Sequence, residues 1–183
     1  MKRTIGNIAV LLAGAALPLA LAPFDWWWVA PLPLLAFLLL SHDIPLPLRY
    51  WRSFLFGLGY FGTGASWVYV SIHDYGYAPV PLAAFLTLLF VAGLALVFAL
   101  PLWLWQRFLQ QKPFGILAGF PAVWALDEWY RSWLLTGFPW LYLGYSQTGT
   151  IAGGWAPVTG VYGISLLLAL LAATLFHAVQ ARK

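Results

Sequence analysis

Apolar side chains fill six stretches of this chain almost without interruption, roughly Ile5 to Ala22, Trp27 to Leu40, Trp51 to Ile72, Pro81 to Gln106, Phe114 to Leu135 and Ala156 to Val179. Polar links such as "SHDIPLPLRY" and "QRFLQQKPF" divide them. Crossing ~30 Å of hydrocarbon takes about 20 helical residues, so all but the short second stretch have the length of a membrane span. Lipid forces backbone polar groups to pair within helices, and the pattern predicts an all-α polytopic bundle of about six transmembrane helices. Residues 1–183 then form a single transmembrane domain, because nothing of the size of a water-soluble domain is left once the spans are subtracted.

Composition agrees: 63% of the residues are hydrophobic and 8% are charged, against roughly 25% charged in an ordinary soluble domain. Cysteine is absent, which excludes disulfides, thiolate metal sites and a cysteine nucleophile in these residues. The net charge of +4 does not indicate nucleic acid, since the basic residues form no run. They mark topology instead. With a cytoplasmic N-terminus, Lys2, Arg3, Arg49, Arg52, Arg107, Lys112, Arg182 and Lys183 fall on cytoplasmic ends, leaving one basic residue of nine outside, as the positive-inside rule requires. Both termini are then cytoplasmic. The opposite connectors carry Asp25, His73 and Asp74, and "DWWW" (Asp25 to Trp28) reads as an interfacial aromatic belt. The first 22 residues also fit a cleaved signal peptide, with a basic start and an Ala20-Leu21-Ala22 end. Resumption of apolar residues at Phe24 favours retention, and cleavage would leave the other spans as they are.

Several motifs tempt a chemical reading. Gly57-Leu-Gly59-Tyr-Phe-Gly62 matches G-x-G-x-x-G, but inside a candidate membrane helix and with no βαβ unit it cannot hold a dinucleotide. Gly59 with Thr63, and Gly62 with Ser66, are small residues four apart that let helix backbones approach closely. His42, His73 and His177 have no carboxylate or second histidine at ligand spacing, so neither a metal nor another cofactor is expected. "GYSQTG" around Ser146 lacks the second glycine of a nucleophile elbow. Ser71, His73 and Asp74 read as polar loop residues rather than as a triad.

The strongest polar constellation is "DEWYRSW", Asp127 to Trp133. Asp127 lies four residues and Glu128 three residues before Arg131, so either carboxylate can pair with the guanidinium on one helical face. Ionisable groups within a span mark either a self-neutralising helix contact or a functional site. On the second view, Arg131 meets a phosphate or substrate head group while the carboxylates orient it. The 50 residues from Ser132 to Ala181 then carry no formal charge. They include "TGFPWLYLGYSQTG", Thr136 to Gly149, too aromatic for a water-facing loop. A short surface helix started by Pro139 and ended by Gly144 would lay Trp140, Tyr142 and Tyr145 along the bilayer interface.

Taken in order, "LAPFDWWWVAPL", "SWVYVSI", "EWYRSWLLTGFPWLYLGYSQ" and "APVTGVYGISLLL" resemble the membrane part of apolipoprotein N-acyltransferase. The resemblance implies a bacterial inner-membrane enzyme that moves a fatty acyl chain from a phospholipid donor to the N-terminal diacylglyceryl-cysteine of a lipoprotein acceptor. In that family a cysteine thioester, a glutamate base and a lysine sit on a periplasmic nitrilase-like domain, after a seventh helix and before an eighth. No catalytic residue therefore carries over to this chain. It is expected to be the N-terminal part of a longer enzyme or a free-standing relic, with a positioning role. The candidate lipid- and substrate-binding residues are Trp67, Tyr69, Arg131, Phe138, Trp140 and Tyr145. The alternative is a non-enzymatic lipid-binding scaffold or a small transporter, although transport more often shows inverted repeats and midplane polar groups.

Overall fold

Proline starts most of the helices. In the computed structural model, which describes residues 2–182, a proline occupies the first or second position of α2 (Pro31–Ser41), α3 (Leu46–Gly64), α5 (Val80–Phe108), α6 (Phe120–Arg131) and α7 (Ala156–Gln180). There its missing N–H removes a donor that would have had no partner, and its fixed φ suits the helix. The remaining α-helices are α1 (Lys2–Ala16) and the three-residue α4 (Val68–Val70). Among the described residues there is no strand. Lys183 and the Lys2 side chain, both used in the orientation reading, lie outside what is described.

Among the described residues, three helical segments are long and apolar enough to cross a membrane: Arg3–Ala20, Val80–Phe108 and Ala152–Gln180. The other apolar stretches are more broken than the pattern predicts. Within Trp27 to Leu40, a 3-10 turn at Trp27–Val29 precedes α2. In Trp51 to Ile72, α3 ends at Gly64, and the rest forms α4 and a π turn at Ser71–Tyr75. Within Phe114 to Leu135, a π turn at Gly115–Gly119 runs into α6, which stops at Arg131.

The six longer helices close into a ring. Each touches its neighbours in the order α1, α3, α5, α6, α7, α2 and back to α1. Aromatic side chains fill the middle: Phe56 of α3 meets Phe37 of α2 at 5.2 Å between ring centroids, and Phe98 of α5 meets Trp124 of α6 at 5.4 Å. Phe120 continues the contact from Trp124 to Trp105, at 5.9 and 5.3 Å.

Small residues set the α1–α3 crossing. A Cβ on Gly59 would stand 2.1 Å from the Leu11 carbonyl oxygen, and one on Gly14 would stand 2.0 Å from that of Phe56. Thr63 adds a hydrogen bond to the Ala15 carbonyl at 3.0 Å. Gly59 and Thr63 thus act as the spacing predicts. Gly62 and Ser66 do not: a Cβ on Gly62 has only Val91 Cγ1 near it, at 4.0 Å, and Ser66 is exposed and bonds Thr63 of its own chain segment.

Candidate functional site

Helix α6 brings three ionisable side chains into the interior. Asp127, Glu128 and Arg131 are all at most 2% exposed. Arg131 Nε donates to Asp127 Oδ2 at 3.3 Å, the four-residue pairing. Its Nη1 donates to the Trp140 carbonyl at 3.3 Å. The guanidinium carbon lies 5.1 Å from the Phe61 ring centre and 5.4 Å from that of Tyr142, within reach of cation–π attraction. Glu128 differs from the expectation that either carboxylate serves Arg131. Its Oε1 accepts from Trp124 Nε1 at 3.0 Å and from the backbone N–H of Leu143 at 2.7 Å. The ion pair is therefore Asp127–Arg131, and Glu128 Oε1 is committed to the Trp124 indole and the Leu143 backbone N–H.

That commitment shapes the following segment, a strap from Ser132 to Thr150. Leu135, Thr136, Gly137 and Leu141 all have positive φ, so the chain reverses sharply after α6. The predicted surface helix from Pro139 to Gly144 is absent, and a 3-10 turn at Leu143–Gln147 follows an extended Tyr142. The reason lies in hydrogen bonding. A helix there would need the Trp140 carbonyl and the Leu143 and Gly144 N–H groups, but Arg131, Glu128 and Ser165 Oγ hold them, the last at 2.8 Å. The Tyr60 hydroxyl also donates to the Leu141 carbonyl. Tyr142 consequently lies beneath the strap at 2% exposure rather than on its surface, while Trp140 and Tyr145 remain outside. At the far end Gln147 Nε2 donates to the Trp27 carbonyl at 3.2 Å, tying the strap to the "DWWW" turn.

Four of the five remaining candidate aromatics lie in or against the strap. Phe138 is buried and packs on Phe90 at 5.5 Å and Trp140 at 5.4 Å, while Trp140 meets Trp67 at 5.9 Å. Tyr145 stacks on Tyr142 at 5.5 Å on the opposite flank. Tyr69 stands apart against His73, at 5.5 Å. Ser146 gives its hydroxyl to the Leu143 carbonyl at 2.7 Å, so it is a turn residue. Among the described residues no group of His, Asp and Glu is placed to hold a metal ion.

Two cavities flank the strap. One, of about 400 Å³, is an apolar groove between Phe90, Gly93 and Val97 of α5 and the Leu134 to Phe138 reversal, with Arg131 in its wall. The other, of about 710 Å³, lies between Leu21, Asp25 and Trp27 on one side and Trp140, Tyr145 and Thr148 on the other. Phe138 faces the first and Trp140 the second. Sequence reasoning missed Tyr60 and Phe61, whose contacts with Leu141 and Arg131 leave no local signal, and Gly93, which borders the groove.

Residues 13–174 match the family model described as the apolipoprotein N-acyltransferase N-terminal domain. Apolipoprotein N-acyltransferase of Pseudomonas paraeruginosa is 51% identical over 174 residues, covering 94% of this chain and 34% of the relative. The Azotobacter vinelandii protein of that name is 48% identical over the same shares. For Coxiella burnetii the figures are 46% identity, 98% of this chain and 37% of the relative. The chain thus spans about a third of the length of these curated relatives.

Proposed function

The chain belongs to the apolipoprotein N-acyltransferase N-terminal domain family, and from that premise we propose that it is the membrane part of a bacterial lipoprotein N-acyltransferase. The reaction moves a fatty acyl chain from a phospholipid to the amino group of a lipoprotein's diacylglyceryl-cysteine. This chain has no cysteine, so a thioester nucleophile comes from a nitrilase-like domain joined to it. The contribution of these residues is positioning: holding two lipid-bearing reactants near each other can supply much of a barrier reduction.

Six helices cross the inner membrane, with both termini cytoplasmic and the strap at the periplasmic face. The distribution of lysine and arginine supports that orientation. The observation that carries the reading is the strap itself, fastened to buried side chains and dividing two cavities. The apolar groove beside Phe138 takes an acyl chain of the donor. The wider cavity, floored by Trp140 and Tyr145, faces the second lipid substrate. Arg131 contributes by fixing the strap from within.

The test uses a chimera in which this sequence replaces the matching N-terminal third of the Pseudomonas enzyme. Gly93 borders the groove, and a Cβ there meets nothing within 4 Å, so Gly93→Phe fills the groove without disturbing a neighbour. Acyl transfer and cross-linking to a diazirine-bearing phospholipid should both fall by about tenfold or more, a loss of ~1.4 kcal/mol in lipid binding. Wild-type rates in a normally inserted variant would sink the assignment.

A further inference from the structure

At the end of the bundle opposite the strap, the start of α1, the end of α2 and the start of α3 meet at Arg52, which is 5% exposed. Among the described residues no carboxylate lies within ion-pairing distance of it. Asp43, the nearest acid in sequence, is taken by His42 Nδ1 at 2.6 Å. Arg52 Nε donates to Asn7 Oδ1 at 3.2 Å, and Nη1 donates to the Leu40 carbonyl. The second bond closes the last turn of α2, as a basic side chain near a helix C-terminus commonly does. Both partners are neutral, so neither cancels the charge.

Nη2, the third nitrogen of the fork, donates to no acceptor among the described residues. Ser41 Oγ, beside Leu40, is an unpaired atom sealed from the surface; Arg52 Nη2 is not so sealed, and the free edge of the fork reaches the surface. It rests on the bare backbone of α1 at Gly6, where an added Cβ would stand 2.1 Å from Nη2. Arg3 lies four residues before Asn7 and hence on the same face of α1, exposed and close enough for its charge to act on Arg52. Two guanidinium groups therefore stand together with no anion between them. A buried charge without a counter-charge is costly, and the planar, weakly hydrated fork of arginine matches phosphate oxygens.

We propose that Arg52 Nη2 and Arg3 bind a phosphate group at the Gly6 notch. Asn7 and the Leu40 carbonyl hold the buried fork in place, and the glycine leaves room for its open edge. The phosphate supplies the counter-charge that the described residues lack. Its source is either an anionic phospholipid of the adjacent leaflet or free phosphate. The site is separate from the strap and its cavities, and does not depend on the acyltransferase reading.

The experiment uses the chain labelled with 15N arginine in dodecyl maltoside, a detergent without phosphate. The Arg52 Nε–H signal, assigned by its loss in Arg52→Lys, is followed as phosphatidylglycerol is added in one arm and inorganic phosphate in the other. Saturable shifts with phosphatidylglycerol alone assign a lipid head group; shifts with inorganic phosphate assign the free ion. Diacylglycerol, with the same chains and no phosphate, should shift nothing. Gly6→Ala puts a methyl group where Nη2 lies. The fork is the movable end of a long side chain, so it is displaced while the helices stay packed. Binding should weaken about tenfold, as loss of one charge-assisted hydrogen bond would give. Arg3→Ala, on the exposed rim, should weaken it about threefold and serves if the first substitution disturbs folding. Arg107→Ala, which removes an exposed cation from the end of α5, should leave it unchanged. No shift in either arm, an equal shift with diacylglycerol, wild-type binding by a folded Gly6→Ala or Arg3→Ala variant, or an equal loss with Arg107→Ala overturns the proposal.

Discussion

The backbone N–H of Leu143 donates to the Glu128 carboxylate at 2.7 Å, across fifteen residues of chain. A buried side chain in the last turn of α6 thereby fixes where the strap lies. Glu128→Ala leaves that N–H and the Trp124 indole N–H without an acceptor, and unmade buried bonds cost about 1–3 kcal/mol each. A lower melting temperature in detergent and faster amide exchange at Leu143 are expected. Glu128→Gln keeps an oxygen at the same place and should stay within about 1 kcal/mol of the parent.

Arg131 and Asp127 form a buried ion pair at the strap end of the bundle. Arg131→Ala abandons a carboxylate in the interior and releases the Trp140 carbonyl, so a loss of about 3–5 kcal/mol is expected. Arg131→Lys should not restore it, because an ammonium cannot hold Asp127 and Trp140 while lying flat between Phe61 and Tyr142. Thermal unfolding of both variants alongside the double variant Arg131→Ala with Asp127→Ala checks this. The double variant should recover part of the loss, since no charge is then stranded.

The close crossing of α1 and α3 gives a positional contrast. Gly59→Leu meets the Leu11 carbonyl and must push the helices apart, whereas Gly62→Leu finds open space. The first should cost about 1–3 kcal/mol or more as an overpacked contact. The second should be nearly neutral. Equal melting temperatures for the two would refute the packing role of Gly59.

Tyr60→Phe removes a single hydroxyl and leaves the Leu141 carbonyl unpaired. About 1–2 kcal/mol is expected, with the effect confined to the strap. Hydrogen exchange should rise at Leu141 to Gly144 while α5 and α7 amides stay as they were.

What was legible in the sequence follows from how each feature is encoded. Apolar runs are local, so the helical positions of α1, α5 and α7 can be read within a few residues. The partition of the two carboxylates is not local: helical spacing puts both Asp127 and Glu128 within reach of Arg131, and only the presence of Leu143 decides between them. The same holds for the strap. Pro139 and Gly144 are proper helix boundaries by type, yet the backbone groups such a helix needs are taken by Arg131, Glu128 and Ser165, which lie 9, 15 and 21 residues from the groups they hold. Tyr69 is placed by the chain break before it. It follows the break between α3 and α4 and packs against His73 at 5.5 Å, apart from Trp67 and Trp140.

The rings of Phe37, Phe56, Phe98, Phe120 and Trp124 occupy the middle of the helix ring. A file of water needs polar partners along its way, and the one polar group among these side chains, the Trp124 indole N–H, is already held by Glu128. Placed in a bilayer, the bundle is therefore expected to act as an electrical insulator, and cells producing it in quantity should keep their proton gradient.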